Sequence, residues 1–196
     1  VLAIGGIAAR QVGLLDRHFI YFPERELISS PGDAGLEYES VFFEASDGVK
    51  LHGWFVPGES AITLLWLHGN AGNISHRVSN LEELHDRLGV NVFIFDYRGY
   101  GTSQGKPTEK GVHLDVSAAL GYLRSRPDVK PDRIVYFGRS LGGAVALELA
   151  TRHPPLGLVL EPTFPSAANM ARQLVRNLPV HWLVRGKFNS VARVKQ

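Results

Sequence analysis

Residues 133–150 read Arg-Ile-Val-Tyr-Phe-Gly-Arg-Ser-Leu-Gly-Gly-Ala-Val-Ala-Leu-Glu-Leu-Ala and contain the pattern Gly-x-Ser-x-Gly at Gly138, Ser140 and Gly142. The β-branched and aromatic run before the pattern predicts a strand, and the alanine- and leucine-rich run after it predicts a helix. A serine between two such elements stands on a sharp, strained turn, and side chains at the two glycines would collide as strand and helix close on one another. The pattern therefore predicts Ser140 as a nucleophile; the alternative is a structural glycine turn.

A second motif follows another predicted strand. The apolar run at 62–67 leads directly into His68-Gly69-Asn70-Ala71-Gly72-Asn73. In an acyl-transfer enzyme, the loop after this strand supplies one backbone N–H to the oxyanion hole, and the residue after the nucleophile supplies the other. We therefore predict the N–H groups of Asn70 and Leu141 as the two donors. His68 precedes the serine in the chain, so we interpret it as a cap of a glycine turn and not as the catalytic base.

A third motif, Asp96-Tyr97-Arg98-Gly99-Tyr100-Gly101, follows the apolar run at 90–95. With these three motifs in this order, the chain resembles the α/β-hydrolase superfamily. Together with Phe19-Ile20-Tyr21-Phe22-Pro23, they make it similar to the single-pass, membrane-anchored α/β-hydrolase-domain proteins, whose relatives include protein depalmitoylases. The resemblance runs from about residue 18 to the end of the chain. It implies a serine hydrolase that acts on ester or thioester bonds through an acyl-enzyme on Ser140 and needs no cofactor.

The order of the predicted elements is typical of an α/β layer fold. Residues 38–45 and 49–56 predict an antiparallel hairpin that turns at Asp47-Gly48. Further strands are predicted at 61–67, 90–95, 134–137 and 156–160, and helices at 74–88, at 110–124 and after Ser140, where Pro154-Pro155 end the helix. We expect an α/β-hydrolase fold over residues 31–196, with a mostly parallel twisted sheet, helices on both faces, and the C-terminal strands lacking.

Composition excludes several classes of function. The 196 residues are 44% hydrophobic and 20% charged, enough for one domain with a core. The net charge of +2 comes with no dense basic cluster, so no nucleic-acid partner is expected. The chain has no cysteine, which excludes a thiol nucleophile, and its eight histidines show no metal-ligand spacing, so no metal is expected.

The partners of Ser140 are not evident in the sequence. The superfamily order is Ser, then acid, then His, but no aspartate follows Ser140, and the only acids and histidines after it are Glu148, Glu161, His153 and His181. Glu148 and His153 lie about 12 and 20 Å along the helix that Ser140 opens, which excludes both. Glu161 ends a strand beside the nucleophile strand and is a candidate auxiliary acid; the alternative is that it caps or shapes its loop.

The last part of the sequence predicts a cap. In a cap-like segment at 163–188, apolar residues recur at near-helical spacing around His181, which we interpret as a structural histidine. We expect the triad acid and histidine after Gln196, so that the chain as it stands is a nearly inert fragment. The apolar cap favours a small-molecule or acylated substrate. The alternatives are a serine peptidase and a non-catalytic binding or scaffold protein of the same fold.

The sequence opens with nine uncharged residues before Arg10, fewer than the roughly 20 that a spanning helix needs. We expect residues 1–30 to be a membrane-proximal segment that begins as the end of a longer anchor. An amphipathic helix packed on the domain is the main alternative, and a signal-peptide remnant is a third.

The anchor can be tested on the complete product of the gene. We expect this protein to stay in the membrane fraction through a carbonate wash, because a spanning helix resists high pH, and we expect a deletion up to about residue 30 to release it. Recovery of the undeleted protein entirely in the wash would contradict the anchor and favour the packed helix.

Overall fold

The computed structural model describes residues 20–161. Within this range eight strands occur: β1 (Phe22–Pro23), β2 (Glu39–Glu44), β3 (Lys50–Val56), β4 (Thr63–Leu67), β5 (Ala71–Gly72), β6 (Asn91–Asp96), β7 (Ile134–Arg139) and β8 (Gly157–Glu161). The helices are α1 (Val78–Leu88), α2 (Glu109–Ser125) and α3 (Leu141–Arg152). The predictions for residues 1–19, for the cap-like segment at 163–188 and for His181 lie outside the described residues.

Six strands form one sheet in the order β2-β3-β6-β4-β7-β8. The β2–β3 and β3–β6 pairs are antiparallel, whereas β6, β4, β7 and β8 run parallel to one another. The predicted hairpin is β2–β3, with its turn at Asp47-Gly48. The mostly parallel sheet of the predicted α/β-hydrolase fold is therefore confirmed.

Helices cover both faces of this sheet because the central strands are apolar on both sides, as expected for parallel strands. On one face, α1 packs with Ile74 against a cluster that includes Trp54, Trp66 and Ile94. On the other face, α2 and α3 pack against a larger cluster that includes Phe93 and Tyr136. Successive strand residues alternate between these two cores, which is the period-two geometry of a strand.

Most predicted boundaries move by one or two residues; the strand predicted at 61–67, for example, begins at Thr63. The helix predicted at 74–88 begins as a 3-10 turn, Ile74–Arg77, and becomes α-helical only at Val78. Asn73 caps this turn, since its Oδ1 accepts the N–H of Ser75, and the N–H of Ile74 donates to a carboxyl oxygen of Asp96. The last predicted strand begins at Gly157 instead of Leu156.

The parallel strands end at one edge of the sheet, and their register decides what meets there. Leu67 of β4 pairs with Gly138 of β7, and Arg139 pairs with Glu161 of β8. The loops that follow β4, β6 and β7 therefore leave the sheet side by side, and this is the edge where α/β proteins build ligand sites. None of the helices within residues 20–161 is long and apolar enough to cross a membrane.

Candidate active site

Ser140 occupies the turn between β7 and α3 in a backbone conformation that side chains rarely adopt. Its φ is 52° and its ψ is −115°, and it is the one residue other than glycine with positive φ in the part of the chain that the structure describes. Such a conformation costs of order 1–3 kcal/mol and persists only where its surroundings impose it. Although Ser140 is at the N-cap position of α3, its hydroxyl makes no capping hydrogen bond, so the half-buried side chain is left to other uses.

The glycines on either side of Ser140 sit where no side chain fits. A Cβ on Gly138 would lie 2.6 Å from the carbonyl oxygen of Gly142 and from the Cα of Gly143. A Cβ on Gly142 would overlap the carbonyl of Leu67 at the end of β4. The first turn of α3 thus lies directly against the neighbouring strand, which is the physical reason for glycine at both positions.

The loop after β4 lies beside the serine. A Cβ built on Gly69 would lie 3.7 Å from the Cβ of Ser140. Within residues 20–161, the main-chain N–H of Asn70 donates to no backbone acceptor. The main-chain N–H of Leu141 is the first of α3, where the N–H groups have no intrahelical partner. The predicted donors Asn70 and Leu141 therefore lie in the two segments next to Ser140, one in the loop after β4 and one at the start of α3.

The third motif contributes contacts that sequence reasoning missed. The hydroxyls of Tyr97 and Tyr100 donate to the carbonyls of His68 and Asn70, over 3.1 and 2.8 Å. The motif itself is anchored because Arg98, nearly buried, pairs with Asp115 of α2 and with Asp47 of the hairpin turn, each over 2.8 Å. The one indication of these contacts in the sequence was the position of the motif directly after β6. Because β6 lies next to β4 in the sheet, the loops that follow the two strands lie side by side.

His68 and Asp96 form a fully buried pair behind the loop. The Nε2 atom of His68 lies 3.7 Å from Oδ1 of Asp96, and neither side chain is exposed. The Nδ1 atom of His68 lies 2.7 Å from the carbonyl oxygen of Gly69, so the tautomer with hydrogen on Nδ1 satisfies that oxygen. This arrangement agrees with the interpretation of His68 as a residue that shapes the turn.

Both members of the pair are driven toward their neutral forms. Burial lowers the pKa of His68 to about 3. Burial also raises the pKa of Asp96 to about 8, and the N–H of Ile74 and the charges of Arg25 and Arg77 only partly oppose this rise. Burial thus favours a neutral imidazole next to a protonated carboxyl group, and it makes His68 a poor proton acceptor near neutral pH.

The other sequence candidates lie away from the hydroxyl or are engaged elsewhere. Glu161 ends β8, and its carboxylate lies 3.4 Å from Nε of Arg139. Glu148 lies in the second half of α3 and pairs with His113 and Arg152. His153 ends α3, where its carbonyl accepts the hydroxyl of Tyr136. The main chain of Glu161 does reach Ser140, because its carbonyl oxygen accepts the N–H of Ser140 over 3.3 Å, whereas its carboxylate pairs with Arg139.

Comparison with known proteins places the chain in a family. A family model described as "alpha/beta hydrolase fold" matches residues 62–181. The chain belongs to the α/β-hydrolase family. The matched region includes the loop after β4, the third motif and the whole turn around Ser140.

Within the α/β-hydrolase family, the chain is similar to proteins from plants and fungi. It is 40% identical over 195 residues to the alpha/beta hydrolase domain-containing protein WAV2 of Arabidopsis thaliana, covering 93% of this chain and 63% of that protein. It is 36% identical over 189 residues to the protein bem46 of Schizosaccharomyces pombe, covering 87% of this chain and 63% of that protein. The chain thus spans less than two thirds of the length of these curated relatives.

A solved structure also resembles this α/β hydrolase. The esterase Pf2001 of Pyrococcus furiosus matches with a TM-score of 0.67 and 27% identity, over 87% of this chain and 72% of that one. The similarity extends over most of the sheet that carries Ser140.

Substitution of Gly142 tests the close approach at the turn. We expect Gly142→Ala to lower the free energy of unfolding by about 3 kcal/mol or more, because its Cβ would overlap the Leu67 carbonyl and the backbone would have to move. Gly121→Ala is the matched control: nothing lies within 4 Å of that position on the exposed side of α2, so alanine should stabilise by about 0.5–1 kcal/mol. Urea unfolding measures both, and equal effects would contradict the packing argument.

Substitution of Asp96 tests its protonation. The unfolded chain releases this proton near pH 4, whereas the folded protein holds it to about pH 8. The contribution of Asp96 to the free energy of unfolding therefore falls as pH rises between these values, by up to about 1.4 kcal/mol per pH unit. Asp96→Asn is neutral at every pH and lacks this fall.

We expect the stability of Asp96→Asn relative to the native protein to increase from pH 5 to pH 8 in urea unfolding. His68 contributes with the opposite sign below its usual pKa. Because burial is the main cause of its lowered pKa and Asp96→Asn keeps that burial, this contribution largely cancels in the difference. A relative stability that instead decreases over this range would mean that Asp96 is a stabilising carboxylate in the folded protein.

Proposed function

We propose that the protein is a serine hydrolase that cleaves ester or thioester bonds through an acyl-enzyme on Ser140. The observation that carries this proposal is the strained backbone of Ser140, combined with a hydroxyl that caps no helix and lies beside the Gly69–Asn70 loop. Backbone strain at a non-glycine residue is retained at functional sites, where it places a side chain for chemistry. The resemblance to the esterase Pf2001 supports the same class of reaction.

In the proposed mechanism, Oγ of Ser140 attacks the carbonyl carbon of the substrate while a histidine takes its proton. The N–H groups of Asn70 and Leu141 stabilise the resulting oxyanion, and donors of this kind each account for about 10²–10³ in rate. The intermediate collapses to the acyl-enzyme, and the alcohol or thiol leaves with the proton. Water then attacks the acyl carbon, the acid departs and the hydroxyl of Ser140 is restored.

The histidine and its acid partner are assigned to the part of the protein outside residues 20–161. His68 is the histidine closest in sequence to the loop beside Ser140, and its burial and lowered pKa make it unsuitable as a base. Glu161 remains a candidate auxiliary acid, although its carboxylate is paired with Arg139 over 3.4 Å. This pairing favours its alternative role of shaping the loop that it begins.

The proposal is tested with the complete product of the gene. We expect a fluorophosphonate probe to label the protein at Ser140, and Ser140→Ala to abolish labelling and to lower kcat for short p-nitrophenyl esters by about 10⁴-fold or more, because no other group replaces the nucleophile. Ser125→Ala is the matched control, since the hydroxyl of Ser125 bonds only to the carbonyl of Tyr122 on the surface of α2. It should retain full labelling.

Labelling that persists in the Ser140→Ala protein would move the nucleophile elsewhere. Absence of labelling and of hydrolysis in the native protein would favour the non-catalytic scaffold of the same fold. Parallel assays with an ester, a thioester and a peptide amide separate an esterase or thioesterase from a peptidase.

A further inference from the structure

A short segment before the sheet runs along the loop that carries Asn70. We call residues 20–26 the N-terminal strap. Its side chains Ile20 and Tyr21 are buried in the larger core cluster, and β1 within it pairs in parallel with β5 of the loop, Phe22 opposite Ala71 and Pro23 opposite Gly72. The strap precedes β2 in the chain and is not part of the six-stranded sheet.

Three hydrogen bonds hold Asn70 itself. Its carbonyl oxygen accepts the N–H of Phe22 over 2.9 Å and the hydroxyl of Tyr100 over 2.8 Å. Its side-chain amide donates to the carbonyl of Ile20 over 3.0 Å. The carbonyl group and the side chain of Asn70 are therefore both held by hydrogen bonds, and the side-chain bond goes to the strap alone. The main-chain N–H donates to no backbone acceptor within residues 20–161.

The remainder of the loop is tied to the same segment. The N–H of Glu24 donates to the carbonyl of Gly72, and the side-chain amide of Asn73 donates to the carbonyls of Glu24 and Glu26. The third motif joins on the other side, where the N–H of Gly101 donates to the carbonyl of Glu24 over 2.8 Å. The strap thus bridges the two loops that follow β4 and β6.

These bonds bear on catalysis because the loop has little rigidity of its own. It contains Gly69 and Gly72, and Gly72 has a φ of 75°, a conformation that an alanine would hold only with strain. An amide stabilises an oxyanion best when it is held in place before the reaction. If it must reorient during the reaction, the free energy of reorientation offsets the stabilisation from the hydrogen bond. Loop rigidity must therefore come from neighbouring segments.

We propose that the N-terminal strap is a positioning element of the oxyanion hole, which it supports by fixing the peptide of Asn70 through Phe22 and Ile20. This inference rests on the proposed function, because it takes the N–H of Asn70 as an oxyanion donor. The strap touches no reacting atom in this scheme and acts only through the loop. Its loss should lower kcat and leave KM nearly unchanged, because the oxyanion exists in the transition state and not in the bound substrate.

Two substitutions at Phe22 isolate one of the bonds. Phe22→Pro removes the N–H that donates to Asn70, whereas Phe22→Ala removes only the ring of this 51% exposed residue and keeps the N–H. In the complete gene product, we expect Phe22→Pro to lower kcat and the rate of phosphonate labelling by about tenfold relative to Phe22→Ala, with KM within twofold.

A second pair of variants avoids the backbone change. Tyr100→Phe removes the other donor to the Asn70 carbonyl, and Tyr136→Phe removes a similar bond to the carbonyl of His153, at the far end of α3. Both tyrosines are buried, so similar losses of thermal stability are expected. Only Tyr100→Phe should lower kcat and labelling rate, whereas Tyr136→Phe should retain both.

The outcomes separate the two proposals. Full hydrolysis by Ser140→Ala would overturn the proposed function, whatever the strap variants do. An inactive Ser140→Ala together with native kcat in both Phe22→Pro and Tyr100→Phe would overturn the strap inference alone. Equal losses of kcat in Phe22→Pro and Phe22→Ala would also overturn it, because they would show that the N–H of Phe22 makes no difference to catalysis.

Discussion

The first turn of α3 lies so close to the end of β4 that Gly142 has no room for a Cβ beside the carbonyl of Leu67. This contact ties the helix that follows Ser140 to the neighbouring strand, and the strand in turn delivers Gly69 to within van der Waals reach of the serine. This close packing requires the sharp turn at Ser140, whose φ is 52°, because β7 must reverse into α3 within one residue. Strain at Ser140 is maintained by the packing of both elements.

A second layer of contacts holds the loop after β4 from behind. The neutral His68 and Asp96 form a buried polar pair, and tyrosines of the third motif donate to the carbonyls of the loop. Gly101 allows this approach, because a Cβ there would overlap Oδ2 of Asp96. The conspicuous motif after β6 therefore serves as a scaffold for the loop next to it, and Arg98 secures that scaffold to α2 and the hairpin.

Much of this architecture could be predicted from local pattern. The hairpin turn at Asp47-Gly48, the apolar central strands and the turn around Ser140 are encoded within short stretches, because turn residues and apolar periodicity act over a few positions. The adjacency of the loops after β4 and β7 also followed, since parallel strands end at one edge. The 3-10 turn at 74–77 did not follow, and neither did the bond from the N–H of Ile74 to Asp96, which lies 22 residues away in the chain.

The sequence by itself determined the order of strands and helices, the family and the serine at the turn, because these depend on residue types that are close together in the chain. Only the tertiary structure decided which groups hold the loop of Asn70: the strap from residues 20–26, Tyr100 from the third motif, and the buried pair of His68 and Asp96. Such partners are brought together by strand pairing and by burial, and burial also sets the pKa values of the pair. Neither the pairing of distant segments nor the desolvation of a side chain can be predicted from a few neighbouring residues.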